Sequence, residues 1–139
     1  MKFTRNAKAQ WKGSGKDGSG TLSTPSTILD NTKYSFKTRF EGDPGTNPEE
    51  LLGAAHAGCF AMQLSFLLQE AEFVADTLDV NATIHFEDGN IPNIDLDLTA
   101  EVPDISAEEF NQLANKAKEI CPISKVLKAE IGLQINLKN

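Results

Sequence analysis

The sequence predicts an α+β fold, with antiparallel sheets packed around a buried central helix, in a single domain covering residues 1–139. Three observations lead there. Strand-like alternation falls into two clusters, one before and one after a long apolar segment. That segment, from Pro48 to about Glu72, has no proline after its first residue and only Gly53 and Gly58 as glycines. Strands and helices do not alternate one by one, as a repeating βαβ chain would require.

The elements follow in order. Phe3, Arg5, Ala7, Ala9 and Trp11 share one parity, while Lys2, Thr4, Asn6, Lys8 and Gln10 are all polar, so the N-terminus reads as a strand with one wet face. Gly13–Gly20 is a turn, with short strands expected near Gly20–Thr24 and Tyr34–Phe40. Asn47, Pro48 and Glu50 form a helix start: a cap, a first-turn proline and an acid able to close a capping box. The helix is apolar nearly all round from Leu51 to Leu68, which predicts burial. Leu78–Phe86 and Ile94–Val102 alternate and flank the turn Asp88-Gly89-Asn90, as a hairpin would. Ser106 and Glu109 open a helix to about Ile120. Pro122 ends it and allows a short restart capped by Cys121, and Ala129–Leu137 is a final strand.

At 139 residues the chain is long enough to bury a core without disulfides or metals. Its formal charge of −7 offers no basic stripe, which argues against nucleic acid and anionic membrane surfaces as partners. No run of 18 wholly apolar residues is present and Met1–Trp11 lacks the apolar core of a signal peptide. The expectation is therefore a cytoplasmic protein without a membrane span. In that reducing compartment two cysteines suit redox or catalytic work better than a structural staple.

Five residues carry chemistry. Cys59 lies within the apolar helix, as a nucleophile or as a small core residue. Cys121 precedes Pro122, where a helix start favours a thiolate. His56 shares a helix face with Cys59, a spacing open to metal ligation, to a His-activated thiol, or to a local hydrogen bond. A metal would need further ligands, and only Cys121 and His85 remain as soft candidates. Arg39, between Phe36 and Phe40, needs an anionic partner if its strand faces inward, and is otherwise a surface residue.

Four of these, all but His85, stand in three stretches: Thr38-Arg39-Phe40-Glu41-Gly42, Gly45-Thr46-Asn47-Pro48-Glu49-Glu50 running on through Leu51 to Phe60, and Cys121-Pro122-Ile123-Ser124-Lys125-Val126-Leu127. Together they resemble the OsmC/Ohr family of osmotically inducible and organic hydroperoxide resistance proteins. The resemblance runs along the whole chain and is nearer the OsmC branch, because the arginine precedes the helix within Thr38-Arg39-Phe40. It implies an intertwined homodimer with active sites at the subunit interface and no metal, flavin or haem. It also implies reduction of organic hydroperoxides, with recycling by a dithiol, lipoyl-type in the Ohr branch. Cys59 matches the peroxidatic cysteine, Cys121 the resolving one, and Arg39 with Glu49 the charged pair that activates the thiolate.

The chemistry is consistent with that assignment. A buried thiol is disfavoured as an anion, so a permanently charged guanidinium near Cys59 would be needed to ionise it. Glu49 and Cys59, ten residues apart, are separated by about 15 Å along one helix. Two such helices paired antiparallel near Ala54, across the small residues Gly53 to Gly58, would set Glu49 of one subunit beside the other's thiol. Phe60, Met62 and Phe66 are expected to line an apolar pocket or to be plain core. Two other functions compete: acyl transfer by a Cys59–His56 pair, and a non-enzymatic dimer binding a small apolar ligand.

Overall fold

The computed structural model describes Met1–Asn139, and the chain forms two compact units, Met1–Leu51 and Leu52–Asn139. In the first, β1 (Lys8–Lys12), β2 (Ser19–Ser23) and β3 (Thr32–Tyr34) make an antiparallel sheet in that order. β1 is shorter than the alternation predicts because its register ends with Lys8 opposite Ser23, the last residue of β2. Gly20 stands between Trp11 and Tyr34 in the register, and those two rings pack at 5.4 Å across it. A methyl group at Gly20 would lie 2.4 Å from the Tyr34 ring and 2.7 Å from the Trp11 ring.

The strand expected at Tyr34–Phe40 is corrected. β3 stops at Tyr34 and Phe36–Phe40 forms a short helix, α1. Ser35 and Thr38 make the reason local. The Ser35 hydroxyl accepts from the Thr38 N–H and the Thr38 hydroxyl accepts from the Ser35 N–H, a reciprocal box that starts a helix rather than continuing a strand. The arginine therefore sits on a helical turn, not on a strand face.

Helix α2 (Pro48–Glu70) gives its first turn to the first unit and the rest to the second. Asn47 caps it as expected, its Oδ1 accepting from the Glu50 N–H at 2.7 Å. The Glu50 carboxylate, expected to close a capping box, instead accepts from the Thr46 hydroxyl at 2.7 Å. Burial all round is also corrected. Gly53, His56, Phe60, Leu64, Leu67 and Leu68 form a buried stripe, whereas Ala54, Gly58, Met62 and Phe66, four residues apart on one ridge, are exposed in the single chain. By length and composition α2 is also long and apolar enough to cross a bilayer, although it holds no wholly apolar run of 18 residues.

The second unit is built on β5 (Asn93–Glu101), flanked by β4 (Thr77–Ile84) and β6 (Glu130–Leu137). β4 and β5 pair antiparallel from Thr77 opposite Glu101 to Ile84 opposite Ile94, as the hairpin reading expects. β6 pairs with β5 in parallel, which corrects the all-antiparallel expectation. A parallel neighbour needs a crossover, and helices α3 (Ala107–Ile120) and α4 (Pro122–Val126) supply it. Ser106 caps α3 through the Glu109 N–H. Alternate residues of β5, Ile94, Leu96, Leu98 and Ala100, are buried with the α2 stripe and with Phe110, Ala114 and Ala117 of α3. Cys121 closes this core at the α3–α4 junction and is 0% exposed.

Candidate active site

In the first unit the turn of α1 and the start of α2 hold a charged pair. Arg39 donates from Nε to both carboxylate oxygens of Glu49, at 3.0 and 3.1 Å, and from Nη2 to Oε1 at 2.5 Å. This is the fork-to-carboxylate arrangement that fixes a guanidinium plane. The guanidinium also lies 5.0 Å over the Phe40 ring. Burial pushes the Glu49 carboxyl up, but the Arg39 hydrogen bond, its own backbone N–H and the Arg39 charge outweigh this, and the net shift is downward. The connecting loop is fixed by Gly45 at φ +145°, where a methyl group would meet the Thr38 side chain at 2.7 Å and the Lys33 carbonyl at 2.9 Å. Two sequence-predicted residues thus meet as a pair.

In the second unit the two thiols meet. Cys59 comes from α2 and Cys121 from the α3–α4 junction, 62 residues on, and the Cys121 thiol donates to Cys59 Sγ at 2.9 Å. Both are free, with Cys59 half-buried and Cys121 fully buried. Burial first, then the Cys121 hydrogen bond, push the Cys59 thiol up, and the backbone N–H of Ile123 opposes them by favouring the anion. Cys121 takes the N-cap position of α4, as expected, but its side chain makes no capping bond and points to the other sulfur.

His56 is fully buried and its Nε2 is hydrogen-bonded to Ser124 Oγ at 2.8 Å, while Nδ1 has no partner. Burial lowers its pKa, so the ring is held neutral. The expected local partner is therefore a residue 68 positions away, on α4. His85 bonds Asp95 at 2.7 Å on the exposed sheet. No group of three or more His, Cys, Asp or Glu residues gathers as a metal site. Phe60 is fully buried core rather than pocket lining, whereas Met62 and Phe66 are 64% and 53% exposed.

Two groups are not singled out by the sequence: the Ile123 amide, which acts on Cys59, and Ser124, the partner of His56. The only signal for Ser124 is its place three residues after Cys121, on the same turn of a short helix.

Residues 40–136, which hold Glu49, Cys59 and Cys121, match the family model described as OsmC-like protein. The chain belongs to the OsmC-like family. It is 46% identical to peroxiredoxin OsmC of Escherichia coli (strain K12) over 143 aligned positions, covering 100% of both chains. It is 28% identical to organic hydroperoxide resistance protein OhrB of Bacillus subtilis (strain 168), over 86% of this chain and 89% of that one. Among solved structures, an OsmC-like protein from Mycoplasma pneumoniae superposes with a TM-score of 0.80 at 15% identity, covering 100% of each chain, which shows the OsmC-like fold. Arg39 stands one residue before the matched segment and within the full-length match to the Escherichia coli protein.

Proposed function

We propose that this OsmC-like chain is a cysteine-based peroxidase that reduces organic hydroperoxides to alcohols. One observation carries the reading: two thiols distant in sequence lie 2.9 Å apart, one in the apolar core and the other packed against it. The Cys59 thiolate attacks the outer peroxide oxygen, the O–O bond breaks, and the alkoxide takes a proton to leave as alcohol. Cys59 becomes a sulfenic acid. The Cys121 sulfur displaces its hydroxyl, forming the Cys59–Cys121 disulfide and water, before a second peroxide can drive the sulfur to the sulfinic state. A dithiol reductant, lipoyl-type by family resemblance, then exchanges with the disulfide and restores both thiols. The two free thiols suit a reducing cytoplasm.

Ionisation of Cys59 is the difficult step. Burial and the Cys121 thiol together raise its pKa despite the Ile123 N–H, so the anion needs a cation at hand. Arg39 has that role, with Glu49 holding its plane. Charge from the same guanidinium stabilises the departing alkoxide. The protein works as a homodimer and the whole chain acts as one functional domain. Arg39 and Glu49 pair within one chain, and Glu49 and Cys59 stand ten positions apart on α2, about 15 Å of rise. The exposed ridge Ala54, Gly58, Met62, Phe66 is apolar and small at Ala54 and Gly58, suited to packing against the same ridge of a second copy. An antiparallel pairing there delivers the Arg39–Glu49 pair of one subunit to Cys59 of the other.

Acyl transfer by a Cys59–His56 pair finds no support, because the His56 ring bonds Ser124 and is left with an unpartnered Nδ1. The test is one equivalent of cumene hydroperoxide per chain. The peroxidase loses both thiols, loses two hydrogens in mass and yields one cumyl alcohol. A binding module keeps two thiols and releases the hydroperoxide unchanged.

A further inference from the structure

We infer that His56 and Ser124 form a positioning pair that fixes α4 against α2 and so sets Cys121 for its attack on Cys59; the inference rests on the peroxidase reading. Two contacts join the same two segments like rungs. His56 and Cys59 are three residues apart on α2, and Ser124 and Cys121 are three residues apart on the other side. The Cys59–Cys121 rung spans 2.9 Å and the His56–Ser124 rung 2.8 Å. One rung reacts and the other does not.

The second rung is needed because α4 is weakly held otherwise. It has five residues, no fully buried one, and no side-chain cap at Cys121. Only Ile123 and Leu127, both half-buried, pack on the core from this stretch. The His56–Ser124 bond ties α4 to the helix that carries Cys59 without involving either reacting sulfur.

The imidazole is an expensive choice for packing alone. It is fully buried with Nδ1 unpartnered, and an apolar side chain of similar size would bury no orphaned nitrogen. A residue retained for geometry accounts for that cost. In the resolving step the Cys59 S–OH bond breaks as the S–S bond forms, with hydroxide leaving on the proton from Cys121. Displacement at sulfur needs the attacking atom in line, so a small shift of α4 slows this step and leaves the first one alone.

The experiment separates the two steps in His56→Leu and Ser124→Ala, which lose the rung, and in His56→Gln and Ser124→Thr, which can keep it. Cumene hydroperoxide consumption in the first turnover reads the first step. Appearance of the disulfide by mass spectrometry, and the sulfinic share under excess peroxide, read the second. Loss of the rung should slow disulfide formation about tenfold and raise the sulfinic share, with the first step within about twofold of the parent chain. Ser124→Thr should restore the parent rate. Disulfide formation at the parent rate in both loss variants overturns the inference, as does an equal fall in both steps. A parent chain that consumes no hydroperoxide refutes the peroxidase reading instead. The rung is then read from the rate at which diamide, an azo oxidant that takes two electrons and two protons, joins the thiols. Both loss variants should slow that too, and unchanged rates would overturn the inference.

Discussion

The charged pair and the thiol pair solve opposite electrostatic problems. Arg39 is 37% exposed at its side chain and Glu49 17%, and their charges are kept by mutual hydrogen bonds at the rim of a small sheet unit. Cys59 and Cys121 lie against a core of Phe60, Ile94, Leu96 and Phe110, where charge is penalised. Ions are readily held where water reaches, whereas burial disfavours the charged form of a thiol. A peroxidase needs both, and each pair forms within its own unit of the chain.

Each side of that comparison can be broken separately. The largest effect is expected from Cys59→Ser, which removes the nucleophile and should cut hydroperoxide turnover by on the order of 10³-fold or more, measured by alcohol release. Arg39→Met should cost on the order of 10²-fold in kcat/KM if the guanidinium stabilises both thiolate and alkoxide. Glu49→Gln keeps the shape and weakens the clamp, so a fall of about tenfold is expected from the loss of one charge-assisted pair. Cys121→Ser should leave a single turnover followed by accumulation of sulfinic Cys59, visible as a gain of two oxygens in mass.

Effects on stability are smaller. Gly20→Ala drives a methyl into the Trp11 and Tyr34 rings and should destabilise the first unit by about 1–3 kcal/mol, read by denaturant titration of Trp11 fluorescence. Acid should weaken the fold in two stages. The His56 pKa is lowered from 6.5, so its contribution is complete above that value and is lost as pH falls through the folded pKa. Glu49, also lowered, adds its loss below its ordinary value of 4.5. His56→Gln should remove the first stage and leave the second, as followed by unfolding midpoints across pH.

Much of this was legible in the sequence, and the exceptions have physical causes. The hairpin around Asp88-Gly89-Asn90 and the helix after Ser106 read directly, because period and cap agree. The turn at Phe36–Phe40 did not, because Ser and Thr blur a period of two and the Ser35–Thr38 box went unread. The parallel pairing of β5 and β6 is a tertiary choice that no local pattern carries. The exposure of Met62 and Phe66 on α2 is not legible either, since composition reports that a face is apolar and not what covers it. The four site residues came from motif resemblance, and spacing alone gave no sign that Cys59 and Cys121 meet. Ser124 needed three dimensions, because a serine in a short helix carries no signal until its partner is seen.

The account turns on whether Arg39 ionises Cys59. Thiolate absorbance near 240 nm, followed against pH in the Cys121→Ser background, measures this directly. The midpoint should lie below the ordinary thiol value of about 8.5 and rise above it when Arg39→Met is added. A midpoint above 8.5 that the Arg39→Met exchange leaves in place would contradict the account.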